Sequence, residues 1–297
     1  MAMTLDPQSV VVGIDGSRAA LHGALWAARI ADVRHAPLAI VHTVPSGRYF
    51  GGDDELPIEA AFRRQDLGRA KRLLAHTASM VRKRYQEVDV SWRIRPGVAA
   101  DVLLELSVQA SLVVVGATGR TRAGARILGS TALQVSNAAS SPVAVFRGQP
   151  DSRVHVLGDP RPVVVGVDGG ATSERAVGQA FDYAAMLRVP VIAVHMWSAN
   201  HLPYGAEVSP DVDRQSENAL LAECLAGWAE KFPDVVVIRV CKEGNAVTEL
   251  LARSTIAQLI VVGSHGYGPL SGLVHGSTSQ TLTSRSSCTV LVSRESL

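Results

Sequence analysis

Val10-Val11-Val12-Gly13-Ile14-Asp15-Gly16 returns later in the chain as Val163-Val164-Val165-Gly166-Val167-Asp168-Gly169. The offset is 153 residues, and it also carries Pro37 onto Pro190 and Ile40-Val41-His42 onto Ala193-Val194-His195. Further along, Leu112-Val113-Val114-Val115-Gly116 returns as Leu259-Ile260-Val261-Val262-Gly263, now at an offset of 147, which also brings Gly97 onto Gly244. A repeat of this length is a duplicated domain rather than a solenoid. The second copy is six residues shorter, and the loop after its second strand is the expected place of the loss. The copies are expected at residues 1–148 and 161–297, with a Gly-, Pro- and polar-rich link between Gly148 and Arg161.

Each copy alternates two patterns. Short β-branched runs bounded by Gly or Pro read as buried parallel strands, in the first copy Ser9–Ile14, Leu38–Val44, Val88–Ile94, Leu112–Gly116 and Pro142–Phe146. Helical stretches lie between them. Ala20, Ala24, Ala27, Ala28 and Ala31 make one apolar face; Leu67, Ala70, Leu74, Ala78 and Val81 make a second; Val102, Leu103, Leu106 and Ala110 make a third. The fold class is therefore α/β: two tandem doubly wound domains, each a five-stranded, mainly parallel sheet with helices on both faces. Ligands of such sheets bind beyond the carboxyl ends of the strands, where the strand order reverses.

Composition narrows the function. The chain has 297 residues, 47% of them hydrophobic, and a net charge of +2, which is too weak to advertise nucleic acid or an anionic membrane. Its apolar runs are too short to span a bilayer, so no membrane insertion is expected. Cys224, Cys241 and Cys288 form no CxxC or zinc spacing, and the start of the chain has no secretory pattern. A cytoplasmic location is the expectation.

The chemistry sits after the strands. Gly116-Ala117-Thr118-Gly119 is followed by nine residues and then Gly129-Ser130, with Thr131 beside it. The second copy repeats this as Gly263-Ser264-His265-Gly266, nine residues, Gly276-Ser277, with Thr278 beside it. Glycines in such a loop can take positive φ and approach a ligand closely, and successive N–H groups form an anion-binding nest. Gly-Ser at the start of the next helix offers a hydroxyl and free N–H groups to phosphate oxygens.

These residues resemble the universal stress protein family, whose ATP-binding members carry Gly-x-x-Gly, nine residues, then Gly-Ser or Gly-Thr. The resemblance covers nearly the whole chain in two copies. It implies that Asp15 and Asp168, with Gly13 and Gly166 in the same strand ends, contact the ribose or adenine side of ATP. It implies that Val41 and Val194 line the adenine pocket, and that the glycine loops hold the phosphates, including Arg120, Thr121 and Arg122 in the first copy and Tyr267, Gly268 and Pro269 in the second. Asp15 and Asp168 also suit a helix start on their own account. Mg2+ would accompany the nucleotide, although one carboxylate per site is a thin ligand set. The resemblance further implies a role in stress or growth adaptation through an unknown regulatory protein partner, pairing of the two copies within a chain, and a homodimer.

Other nucleotide motifs are missing. No GxxxxGK[ST] occurs, and no GxGxxG follows the first strand. No catalytic constellation can be assembled, so the alternative of a slow ATPase or nucleotidyl transferase lacks a general base. His42 and His195 read as half-buried rings satisfied by backbone. The copies differ in charge: Arg120, Arg122 and Arg126 become Tyr267, Pro269 and Leu273, while His265 and His275 remain. The first site is then expected to grip a triphosphate with arginine forks and the second with backbone and hydroxyls. The last strand, where the family often has Cys-Pro-Val and pairs its domains, reads Ser141-Pro142-Val143 and Cys288-Thr289-Val290. Cys288 is expected to be a small packed residue.

Overall fold

The computed structural model describes residues 5–44, 57–119, 128–148, 159–197, 210–264 and 276–294. The chain divides into two compact units, Met1–Arg147 and Gly148–Glu295. The first unit runs β1 (Val10–Gly13), α1 (Arg18–Arg34), β2 (Leu38–Val44), α2 (Pro57–Arg84), β3 (Val90–Pro96), α3 (Ala99–Ser107), β4 (Leu112–Gly116), α4 (Ser130–Ala138) and β5 (Val143–Phe146). The second repeats the order as β6 (Val163–Val167), α5 (Ala171–Leu187), β7 (Val191–Trp197), α6 (Pro210–Lys231), β8 (Val237–Glu243), α7 (Ala246–Arg253), β9 (Leu259–Gly263), α8 (Ser277–Arg285) and β10 (Thr289–Ser293).

Within the first unit the strands stand in the order β3-β2-β1-β4-β5, and within the second β8-β7-β6-β9-β10, with all these neighbours parallel. The order reverses between β1 and β4, and between β6 and β9. Alternation along each strand divides the core. Val11, Val41, Val113, Val115, Val143 and Val145 face α3 and α4, where Val102, Leu103, Leu106 and Val135 close over them. On the other face α1 presents the small residues Ala24, Ala27, Ala28 and Ala31, all fully buried. Full burial of a valine or leucine contributes roughly 1.5–3 kcal/mol, so the central strands β1 and β4, with no exposed apolar side chain, anchor the unit.

Two expectations change in detail. The third strand is Val90–Pro96, two residues later than its apolar run, because it pairs along the full length of Leu38–Val44. The six-residue difference between copies lies in a helix, not in the loop. Pro57 and Pro210 begin α2 and α6 at the offset of 153, yet α2 has 28 residues and α6 has 22. Ahead of β6, Asp159 is buried and pairs with Arg161 at 2.7 Å.

Candidate nucleotide site

The loop after β1 turns on Gly16, whose φ of +85° only glycine adopts easily. That turn sends the chain into α1. Asp15 Oδ1 accepts the Ser17 N–H at 2.8 Å. Ser17, not Asp15, is the N-cap of α1; its Oγ accepts from the Ala20 N–H at 3.2 Å and donates to Thr118 O at 3.3 Å. The helix start is thereby tied to the glycine loop after β4. Ser17 is a residue the motif search missed, although a serine three residues ahead of an alanine-rich helix face is a legible cap signal.

A cleft of about 950 Å³ opens at this point, beyond the carboxyl ends of β1, β2 and β4. Gly13, Asp15, Val41, His42, Gly116, Thr118, Gly119, Gly129, Ser130 and Thr131 line it together with Ser17. Ala117 is buried beneath it; its amide bonds Phe146 O at 2.9 Å, and its carbonyl accepts the Gly129 N–H at 2.8 Å. Gly129 caps α4 without a side-chain bond, so the first-turn N–H groups of α4 are left to a ligand or to water. Val41 itself is buried in the core, and its carbonyl accepts the Ile14 N–H at 2.8 Å. His42 Nδ1 faces Ile14 O at 2.7 Å; a carbonyl only accepts, so Nδ1 carries the proton.

The glycines do different work from the one their spacing suggests. Positive φ among the described glycines falls at Gly16, Gly97, Gly169 and Gly244, not at Gly116, Gly129, Gly263 or Gly276. A Cβ on Gly116 would lie 2.9 Å from Ala20 N in the backbone of α1. One on Gly263 would lie 3.0 Å from Thr172 Oγ1 at the start of α5. One on Gly13 would meet Leu103 at 2.8 Å, and one on Gly166 would meet Leu250 at 3.2 Å. These four glycines let helices close on the strand ends. Gly119 differs from them: its Cβ would come 3.0 Å from Asp15 Oδ2.

The second unit repeats the frame with different fittings. Asp168 Oδ1 accepts the Gly170 N–H at 3.0 Å, and the Asp168 N–H donates to Ser173 Oγ at 3.0 Å. Gly170 caps α5 with no side chain where the first unit has Ser17. The Gly276 N–H donates to Ser264 O at 3.1 Å, the counterpart of the Gly129 bond, and sets Ser277 and Thr278 in the first turn of α8. Val194 is buried like Val41. His195 Nδ1 faces Val167 O at 2.8 Å, as His42 faces Ile14, but its Nε2 also meets Glu217 Oε2 at 2.5 Å. Among the described residues no group of three His, Cys, Asp or Glu side chains is placed to hold a metal ion. Arg120, Thr121, Arg122, Arg126, His265, Gly266, Tyr267, Gly268, Pro269, Leu273 and His275 lie outside the described residues.

The fold and this paired site define a class. The model of the universal stress protein family matches residues 7–147 and 160–294, so the chain belongs to that family and carries its domain twice. It is 35% identical over 291 residues to a universal stress protein of Mycobacterium tuberculosis, covering 97% of each chain. A universal stress protein of Mycolicibacterium smegmatis is 34% identical over 305 residues, covering 99% of each. Among solved structures, a universal stress protein from Archaeoglobus fulgidus superposes with a TM-score of 0.65 at 16% identity, covering 98% of this chain and 97% of that one. Among the described residues no helix is long and apolar enough to cross a membrane.

Proposed function

We propose that this protein is an ATP-binding regulatory module of the universal stress type, acting in the cytoplasm in stress or growth adaptation. The observation that carries the reading is the convergence of Asp15, Thr118, Gly119 and the open first turn of α4 on one cleft at the strand-order reversal. Asp15 suits a ribose hydroxyl, the Val41 backbone a base edge, and the N–H groups of Ser130 and Thr131 with their hydroxyls the phosphates. Asp168, Ser264, Ser277 and Thr278 offer the second unit the same set. Mg2+ would arrive with the triphosphate, since Asp15 is the one carboxylate among the described residues that line the cleft. The signal passes through nucleotide-dependent binding of a regulatory protein partner, and the working form is a homodimer. Nucleic acid and membrane insertion play no part in this reading.

Titration calorimetry of the full chain with ATP tests it. Binding is expected in the micromolar range, weakened about tenfold or more by Asp15→Ala, which is about 1.4 kcal/mol or more. ADP release is expected to stay negligible over hours. ATP affinity equal in the parent and in Asp15→Ala would sink the assignment, and rapid turnover would replace a regulatory module by an enzyme.

A further inference from the structure

The two copies treat one strand edge differently. β3 pairs with β2, and β8 pairs with β7, at the same place in each unit. The Leu38 amide bonds Asp89 O, and the Val191 amide bonds Val236 O. In a parallel ladder the backbone groups then alternate between the neighbour and the open side. Val90, Trp92, Ile94 and Pro96 therefore turn theirs outward along β3, and Val237, Arg239, Cys241 and Glu243 do so along β8.

The outward row of β3 is blocked three times. Arg82 Nη2 donates to Val90 O at 2.6 Å, Arg93 Nη1 donates to Trp92 O at 2.9 Å, and Pro96 has no N–H to offer. At the offset of 147 the same positions are Ala229, Val240 and Glu243, and none of them blocks β8 in these ways. The side chains follow suit. Asp89, Ser91 and Gln109 of the first unit become Val236, Ile238 and Ile256, which are 66%, 46% and 53% exposed. Edge strands that stay apart from other chains carry charges, prolines or capped carbonyls. The first copy has the proline and the capped carbonyls; among the described residues β8 has neither and keeps only charges, Arg239, Lys242 and Glu243.

We propose that β8 pairs with β8 of a second copy of this chain, antiparallel about a two-fold axis through Cys241. This rests on the homodimer in the reading above, and not on the nucleotide. The choice of occupant and register follows from charge. Arg239 and Glu243 are exposed, and neither has an ion pair or hydrogen bond to another described residue. They stand two residues either side of Cys241, so the two-fold sets Arg239 of each copy opposite Glu243 of the other. The same register lets the outward amides and carbonyls of Arg239, Cys241 and Glu243 exchange hydrogen bonds between copies. An axis through Arg239 would put like charges opposite each other, and an axis through Val240 would pair Val237 with Glu243 and Ile238 with Lys242.

Sedimentation equilibrium of the full chain tests the interface, with ATP binding measured on the same samples. A single strand pair is a small interface, so dimer is expected at tens of micromolar and monomer well below. Arg239→Glu, which sets two carboxylates opposite each other, should weaken the dimer about tenfold or more. Adding Glu243→Arg to it should restore the parent mass. A parent that stays monomeric throughout overturns both the interface and the homodimer. A dimer indifferent to Arg239→Glu, or one weakened by it and not restored by the second change, overturns the interface alone. ATP affinity should remain the same in all three chains.

Discussion

Asp15 and Gly119 face each other across the cleft of the first unit: a Cβ on Gly119 would stand 3.0 Å from Asp15 Oδ2. Gly116, three residues earlier, has no such neighbour and instead touches the backbone of α1, where a Cβ would meet Ala20 N at 2.9 Å. One motif thus holds two glycines with separate duties. Gly119→Ala should push the Asp15 carboxylate aside and weaken ATP binding about tenfold, with stability held to about 0.5 kcal/mol. Gly116→Ala should cost about 1–3 kcal/mol, because helix backbone cannot yield as a side-chain tip does. Calorimetric unfolding and ATP titration of both variants check this; two variants with the same profile would refute the division of labour.

Much of this was legible in the sequence, and the remainder was not for identifiable reasons. The duplicated Val-Val-Val-Gly-x-Asp-Gly run and the doubled glycine spacing placed the strands and the loops after them. A fully buried parallel strand announces itself by a continuous apolar run. What a glycine is for depends on the atom its Cβ would strike, and that atom belongs to α1, α3, α5 or α7, far away in sequence. The positive-φ reading of Gly116 and Gly129 failed on this ground. The missing six residues were misplaced because the exposed side of a long helix is polar like a loop. The caps on β3 were hidden too, since Arg82 and Arg93 look like ordinary surface charges until the outward carbonyls are known.

Gly178 and Trp228 form a matched pair between α5 and α6. A Cβ on Gly178 would fall 2.6 Å from the indole ring. At the same offsets the first unit has Leu25 and Val81, so the large and small residues are exchanged in the sequence. Trp228 also stacks near Phe232, with ring centroids 6.4 Å apart, and Lys231 lies 5.0 Å above it. Gly178→Leu should lose about 1–3 kcal/mol by overpacking. Combining it with Trp228→Val, which copies the first unit, should recover at least half of the loss. Denaturant unfolding gives the double-mutant cycle, and additive losses would contradict the pairing.

Cys288 is buried against Ser286, and burial pushes its thiol up from 9.0 to about 11. The neutral thiol is the form the core accepts. In the unfolded chain the proton leaves near pH 9, whereas in the folded chain it stays until about pH 11. The stabilisation is therefore complete below pH 9 and is lost as pH climbs from 9 to 11, by about 2–3 kcal/mol for this group. Cys288→Ala should remove that share of the alkaline slope while lowering stability modestly at pH 7. Unfolding free energies measured from pH 7 to 11 for both chains decide it; parallel slopes would mean that the thiol does not titrate as described.

Asp159 is 1% exposed and is held by Arg161 through Nε and Nη2, with contacts of 2.7 to 3.1 Å. The same bond raises the Arg161 pKa, so the guanidinium stays charged throughout the accessible range. Gln258 Nε2 adds bonds to Asp159 O and Arg161 O, which stitches the entry of the second unit to the residue before β9. Removing one partner from a buried ion pair typically costs about 3–5 kcal/mol, although here the Arg161 N–H still donates to Asp159 Oδ1 at 3.1 Å. Because Arg161 is partly exposed, Arg161→Ala should cost less, about 2–3 kcal/mol. Arg161→Ala with Asp159→Ala removes the buried carboxylate as well and should be more stable than Arg161→Ala alone. Denaturant titration of the three chains measures the coupling. A double variant less stable than both single ones would show that Asp159 serves the fold through its other bonds rather than through Arg161.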